Sequence, residues 1–310
     1  MIVDGEPEVE AARPLLIVDG DNLAHRAYHS TPKTVTGVDG SPINALVGFF
    51  SMLVNVWTKE TANTIAERQT PSAGLPNNPT PNTQYPGIRV FVAWDTLGVD
   101  TYRSKLWPPY QTGRVFEREI VVQLDLLPTL CQAFGFGVGK MAGYEADDLM
   151  AAAALKEVES GGTCLLLTTD RDAYQLVSEK ITVLAPRRGA RELDRIGPSE
   201  VVQRFGVLPE QVPDFKALCG DPSDKIPGVR GIGPVAAARL LLKHGTLEGV
   251  LSAWGEHPEA ERALMFREVV RMRPEVAVEL PSGSPDWTGG AATLRLLGAN
   301  AIADRLGALG

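Results

Sequence analysis

"LLIVDGDN", residues 15–22, is an apolar run that stops at an aspartate followed by glycine, and the same design returns twice further on. "VFVAWDT" (90–96) ends at Asp95, and "CLLLTTDRD" (164–172) ends at Asp170 and Asp172. Each run has the length of a strand buried on both faces, which reads as nearly continuous apolar sequence in a parallel sheet. Helix-like stretches separate them: "INALVGFFSMLVNVWTK" (43–59), "REIVVQLDLLPTLCQAFG" (118–135) and "EADDLMAAAALKEVE" (145–159). Strands alternating with helices predict an α/β fold, a mostly parallel sheet with helices on both faces. Ligands of such sheets bind beyond the carboxyl ends of the strands, where these aspartates fall.

Working outward, residues 14–190 read as the α/β core. Within it, 61–88 is rich in Pro, Asn and Thr and is expected to be an exposed, mobile insertion between a helix and the Asp95 strand. After about residue 190 the pattern becomes helical, with turn punctuation at "GPSE", "LPEQVPD" and "GDPSDKIPGVRGIGP", so 191–290 reads as a smaller helical domain. The tail, 291–310, holds one amphipathic helix or two short ones. Cys131, Cys164 and Cys219 are widely separated, show no C-x-x-C spacing, and read as buried thiols of a reducing compartment rather than zinc ligands. No apolar run is long enough to span a membrane, and the acidic start "MIVDGEPEVEAARP" is unlike a signal peptide, so a cytoplasmic protein without membrane partners is expected.

The net charge of −8, from 30 Lys and Arg against 38 Asp and Glu, argues at first against a nucleic-acid partner. That inference depends on where the acids sit. Singly, each cluster has a plain explanation. Asp19-Gly20 can be a turn, Thr169 or Asp170 a helix cap, and "GYEADDLM" (143–150) a helix start whose dipole favours acids by about 0.3 to 1 kcal/mol each. Together these explanations fail. Asp19, Asp95, Glu145, Asp147, Asp148, Asp170, Asp172, Asp221 and Asp224 would converge on one edge of one sheet. Two carboxylates about 4 Å apart repel by roughly 4 kcal/mol at an effective dielectric of 20, so such a cluster needs cations or protons. With oxygen ligands and no neighbouring His or Cys in these motifs, Mg²⁺ or Mn²⁺ is the expected cation, and nine acids can hold two ions, an arrangement suited to phosphodiester cleavage. With those nine set aside, the rest of the chain is close to neutral.

"LLIVDGDNLAHRAYHS", "VFVAWDT", "PYQTGR", "GYEADDLM", "LLLTTDRDAYQL" and "ALCGDPSDKIPGVRGIGPVAAARLL", in this order, closely resemble the 5′ nuclease domain of bacterial DNA polymerase I and the related phage and stand-alone bacterial flap endonucleases. The likeness runs from about residue 14 to 255. It implies a 5′ nuclease core related to PIN domains, followed by a helix-three-turn-helix at about 212–245. It also implies structure-selective hydrolysis of DNA at 5′ ends, flaps and nicks with two divalent metals held by the nine acids, in replication and repair. Asp21 is extra to the family pattern and is left out of the site.

The basic side follows a similar logic. "TYRSKLWPPYQTGRVFER" (101–118) carries Arg103, Lys105, Arg114 and Tyr110, which suits a strand-threading arch at about 100–120 with a stacking aromatic. In the resembled family a helical arch holds a lysine and an arginine beside a tyrosine; Tyr110 and Arg114 match, but the lysine position is Gln111, which predicts slower cleavage unless another base substitutes. Arg26 matches a family arginine near the substrate phosphate. "IPGVRGIGPVAAARLLLKHG" (226–245) reads as a hairpin between helices with Pro234 in the first helical turn. Its Gly228, Gly231 and Gly233 would let backbone N–H groups approach a phosphate, while Arg239 and Lys243 would reach the downstream backbone. The resemblance adds a K⁺ ion held there by backbone carbonyls. Lys225, also expected to contact DNA, stands where the family usually has asparagine.

The enzymatic rival is a haloacid-dehalogenase-type phosphatase, which would use Asp19 and Asp21 as its D-x-D and "CGDPSD" as a late acidic loop, leaving "EADD", "TTDRD" and the glycine hairpin without a role. A PIN-type ribonuclease shares the sheet and some acids but lacks the hairpin. The non-enzymatic rival is a flap-DNA-binding protein with weak catalysis because of Gln111. The preferred reading is a monomeric, stand-alone nuclease on branched or nicked DNA, with RNA–DNA hybrids as a further candidate substrate.

Overall fold

The computed structural model describes residues 14–69, 87–113, 115–187 and 192–310. In chain order its elements are β1 (Leu15–Asp19), α1 (Gly20–Ser30), α2 (Asn44–Gln69), β2 (Arg89–Trp94), α3 (Tyr102–Leu106), α4 (Arg118–Ala133), β3 (Gly137–Lys140), α5 (Ala146–Glu159), β4 (Cys164–Leu167), β5 (Ile181–Arg187) and β6 (Glu192–Ile196). Helices follow: α6 (Pro198–Phe205), α7 (Val212–Cys219), α8 (Pro234–His244), α9 (Leu247–Trp254), α10 (Ala260–Val270), α11 (Trp287–Leu296) and α12 (Asn300–Gly307).

The sheet runs β3-β2-β1-β4-β5-β6, parallel except for the antiparallel β5–β6 pair. Its apolar runs are buried because both faces are covered. Leu15 and Ile17 of β1, Phe91 and Ala93 of β2 and Leu166 of β4 face α5 and the later helical layer, while Leu16, Val18, Val90, Val92 and Leu167 face α1, α2, α4, α11 and α12. Since side chains alternate along a strand, one continuous apolar run serves two cores.

Two readings of the sequence are corrected. α2 continues past residue 61 to Gln69, so the segment read as an insertion begins inside a helix; 70–86 lie outside the described residues. The α/β layer does not end at 190, since β6 at 192–196 pairs with β5; its polar "ELDRI" sits at the sheet edge, where one side is not flanked by a strand, and it lacks the apolar signature of the inner strands. The tail takes the second of its two expected forms, two short helices, and α11 packs on α4 and α12 on α2, so these helices cover the sheet. β3, "GVGK", also carried no strand signal. A Cβ at Gly139 would stand 2.7 Å from the Phe91 ring, so the neighbouring strand's aromatic occupies the space a side chain would need.

The chain leaves β1 for β2 on one side and returns through β4 on the other. That switch point opens a crevice at the carboxyl ends of β1, β2 and β4.

Candidate metal centre and nucleic-acid interface

Asp19 ends β1 and caps α1: the Asn22 N–H donates to its Oδ1 (3.0 Å) and the Thr168 hydroxyl to its Oδ2 (2.8 Å). Asp95 follows β2 and accepts from the Ala146 N–H (2.7 Å) at the start of α5, while its own N–H donates to Asp21 Oδ2 (2.7 Å). Glu145 is the N-cap of α5, and Asp147 lies in its first turn, where a helix N-terminus favours anions. Glu145 takes hydrogen bonds from the Thr101 hydroxyl (3.0 Å) and the Tyr110 hydroxyl (2.9 Å). Asp170, exposed just beyond β4, accepts from the Asp172 N–H at 2.8 Å. Asp19, Asp21, Asp95, Glu145, Asp147 and Asp170 line one cavity of about 330 Å³.

A second group adjoins it. Carboxylate oxygens of Asp172, Asp221 and Asp224 lie within 4.8 Å of one another. Asp221 and Asp224 sit in the turn after α7, which a short bridge between Asp221 and Ile226 closes. The buried Lys216 of α7 reaches both Asp172 and Asp221, the latter at 2.6 Å. Asp170 joins the groups, since it lines the cavity and also a groove of about 1020 Å³ that runs along Arg171, Arg204, Lys216, Asp221 and Arg239.

The electrostatics follow from this crowding. Burial first, then the charges of Asp170 and Asp95, push Asp19 up to about 7 against its two hydrogen bonds. Burial and neighbouring carboxylates likewise hold Asp21 and Asp147 well above the ordinary range, and burial, opposed by Arg103, raises Glu145. Burial and Asp221 raise Asp224. Asp221 itself is lowered: burial works against it, but the Lys216 ammonium and Ser223 outweigh that. Carboxylates raised by burial and by one another, as those of Asp19, Asp21, Asp147 and Asp224 are, would be relieved by a cation. Oxygen donors in this number suit a hard divalent ion, Mg²⁺ or Mn²⁺.

Residues 14–68 and 81–206 match the family model described as the 5′-3′ exonuclease N-terminal resolvase-like domain, and residues 207–286 match the 5′-3′ exonuclease C-terminal SAM fold. The chain belongs to the 5′-3′ exonuclease family. The likeness extends to DNA polymerase I of Mycobacterium tuberculosis, 35% identical over 248 residues that make up 79% of this chain and 25% of the polymerase. The thermostable DNA polymerase I of Thermus thermophilus is 34% identical over 247 residues, 79% of this chain and 26% of the polymerase. This exonuclease-family chain thus spans about a quarter of the length of those relatives. Among solved structures, bacteriophage T5 5′-exonuclease with bound zinc superposes with a TM-score of 0.56 at 19% identity, covering 96% of this chain and 97% of that one. The catalytic core of Rad2 in complex with DNA substrate superposes with a TM-score of 0.56 at 13% identity, covering 95% and 92%. At these identities the likeness is one of fold.

Several residues expected at the site lie elsewhere in this exonuclease fold. Asp148 is fully buried and turned away from the cavity. Both its oxygens are saturated, by Arg103 Nη1 (2.7 Å) and Nη2 (2.9 Å), the Tyr102 hydroxyl (2.9 Å) and the N–H groups of Arg273 (2.8 Å) and Glu145 (3.1 Å). No lone pair is left for a metal. Arg103, read as a DNA contact, is only 2% exposed, because it is the counter-ion of that carboxylate. Tyr110, read as a stacking aromatic, is 7% exposed with its hydroxyl committed to Glu145, so its ring is unavailable to a base. Among the described residues, the arch segment is helical over α3, continues as turns through Gly113, and becomes helical again where α4 begins at Arg118. Gly228 has a structural reason: with φ 70°, a Cβ there would stand 2.4 Å from the Gly220 nitrogen, so two backbone segments touch. Around Gly231 and Gly233 the space is open.

Gln111 lines the acid cavity; Lys105, Lys225, Arg239 and Lys243 are exposed; Arg26 is half-buried on α1; Arg114 lies outside the described residues. Pro234 occupies the first turn of α8. Asp21, left out of the site on family grounds, is in it. His25 borders the same cavity with its ring 4.9 Å from that of Phe116, so the expectation of no histidine nearby does not hold. Lys216 was missed altogether, although a lysine inside the apolar helix "VPDFKALC" signals a carboxylate partner.

Proposed function

We propose that this chain is a structure-selective 5′ nuclease that hydrolyses DNA phosphodiester bonds at 5′ ends, nicks and flaps in replication and repair, using two Mg²⁺ or Mn²⁺ ions. The observation that carries the reading is the pair of adjoining acid groups at the switch point of a 5′-3′ exonuclease-family sheet. Asp19, Asp21, Asp95, Glu145, Asp147 and Asp170 would hold one ion, and Asp170 with Asp172, Asp221 and Asp224 the other. Bound there, divalent ions acidify water and stabilise the leaving oxygen. The protein's part is positioning. Hydrogen bonds from Asn22, Thr168 and Ala146 fix the carboxylates of Asp19 and Asp95 before substrate arrives. Duplex DNA would lie along the groove beside Arg171, Arg204 and Arg239, with the exposed turn around Gly231 and the N-terminus of α8 facing its backbone. A K⁺ ion in the α7–α8 turn, a monomeric state and activity on RNA–DNA hybrids belong to the same proposal.

The test is incubation with a 5′-labelled flap and Mg²⁺ or Mn²⁺, beside EDTA and a simple phosphomonoester. Metal-dependent release of the flap is expected. Full activity in EDTA would refute the metal mechanism, phosphomonoester turnover alone would revive the phosphatase reading, and binding without cleavage would favour a flap-binding protein.

A further inference from the structure

The cations around the acid groups are unequally available. Arg103 is buried against Asp148, and Lys216 is buried between Asp172 and Asp221. Lys225 is different. It is exposed, and the partners of its Nζ are neutral: the Thr112 carbonyl, and the Thr112 hydroxyl at 2.8 Å. Its ammonium therefore has no carboxylate of its own among the described residues.

Its backbone is unusual as well. Among the described residues, Lys225 and Gln111 are the two non-glycine residues with positive φ, 56° and 47°. Left-handed backbone is unfavourable for lysine and tolerated by asparagine, so position 225 keeps a lysine against local preference. Both residues lie where the turn after α7 meets the segment after α3. The Trp107 indole N–H donates to the Lys225 carbonyl (3.0 Å), and Gln111 Nε2 donates to Asp224 (3.2 Å) and to the Tyr110 hydroxyl (2.8 Å). Gln111 lines the acid cavity, and Lys225 grips the very next residue. The ammonium is thus held one residue along from the cavity lining, on a side where the lining side chain is a neutral amide.

We propose that Lys225 is a substrate-phosphate-binding residue. When a strand enters, its ammonium exchanges the Thr112 carbonyl and hydroxyl for a phosphate oxygen, a stronger charge-assisted partner, and supplies the positive charge that Gln111 does not carry. The inference rests on the nuclease reading and deepens it by naming the group that meets the incoming backbone.

The experiment measures binding of a fluorescent 5′-flap DNA in EDTA over a range of salt, with thermal melts, for the wild-type chain, Lys225→Asn and Lys225→Arg. Asparagine suits the left-handed backbone, so the Lys225→Asn chain should melt no lower than wild type. It should bind about three- to tenfold more weakly, with the slope of log K against log salt reduced by about 0.7 to 0.9, the signature of one lost phosphate contact. Lys225→Arg should bind within about twofold of wild type. Unchanged affinity and slope in Lys225→Asn would overturn the proposal. So would weaker binding with an unchanged slope and a lower melting temperature, which would make Lys225 a structural latch only. A wild-type chain that neither binds the flap in EDTA nor cleaves it with Mg²⁺ or Mn²⁺ would sink the nuclease reading itself, and this inference with it.

Discussion

Replacing Asp148 by asparagine should separate holding the fold from holding a metal. The carboxylate is wholly buried and accepts from Arg103 twice, Tyr102, Arg273 and Glu145. An amide keeps one acceptor oxygen but turns an NH₂ donor toward one of these donors, and it removes the charge opposite Arg103. That guanidinium, 2% exposed, would keep Glu145 at 3.5 Å and the Val269 carbonyl at 3.0 Å but lose its close ionic partner. Breaking a buried ion pair on one side typically costs about 3 to 5 kcal/mol. At about 2 °C or somewhat more per kcal/mol for a chain of this size, the melting temperature should fall by roughly 10 °C. Calorimetric titration with Mn²⁺ at a temperature where the variant is folded should still find the wild-type number of sites. The comparison is Asp147→Asn, one residue along, which relieves repulsion in the cavity: its metal-free melting temperature should hold or rise while Mn²⁺ affinity falls tenfold or more. An Asp148→Asn protein that melts within about 2 °C of wild type and loses a Mn²⁺ site would refute the reasoning.

The raised carboxylates make metal-free stability depend on pH. Asp19 near 7, with Asp21 and Asp147 also raised, binds protons in the folded state that the unfolded chain has released, so the contribution is complete below about 4 and is lost as pH rises through about 7. Melts in EDTA should therefore show lower stability at pH 8 than at pH 6, and saturating Mg²⁺ should reduce the difference. Gln111→Lys should speed flap cleavage several-fold in single-turnover assays by placing a cation beside Asp224; an unchanged or lower rate would show that the amide is not limiting. Gly228→Ala should destabilise by about 2 kcal/mol or more, since the new methyl meets backbone at 2.4 Å, whereas Gly231→Ala, also at positive φ (83° against 70°) but in open space, should cost about 1 kcal/mol. Equal melting temperatures for the two would contradict the contact.

The inner strands β1, β2 and β4 were legible because burial on both faces leaves an uninterrupted apolar run, as in "LLIVD" and "CLLL", whereas the inner strand β5, "ITVLAPR", was not singled out. β3 and β6 were not legible: one replaces side chains with glycine under Phe91, and the other lies at an edge where polar residues are allowed. At the site, acids following inner strands announced themselves, and so did the α5 start. What the motif "EADD" concealed is elementary helix geometry. Adjacent residues on a helix point about 100° apart, and here Asp147 faces the cavity while Asp148 turns into the protein. Long-range pairing decides which turns away, and no local pattern records that Arg103 awaits Asp148. Asp21 was discounted because it departs from a family pattern, although its place two residues after a strand-end aspartate, in the first turn of α1, put it at the same sheet edge.

The hydrogen bonds around Asp148 bear on how such a chain is inherited. The two family models meet between residues 206 and 207, yet the Arg273 N–H and the Val269 carbonyl, from the second, complete the surroundings of Asp148 and Arg103, from the first. Gln175, just after the acid pair at Asp170 and Asp172, likewise clasps Val270 and Met272. The recognisable sequence modules are therefore not separable building blocks. A fragment ending at the seam would keep eight of the ten acids named above, including Asp21, but would leave a buried arginine and its aspartate short of partners. Recombination that swaps one half for a distant relative's would have to carry the loop after α10 along with the α5 start.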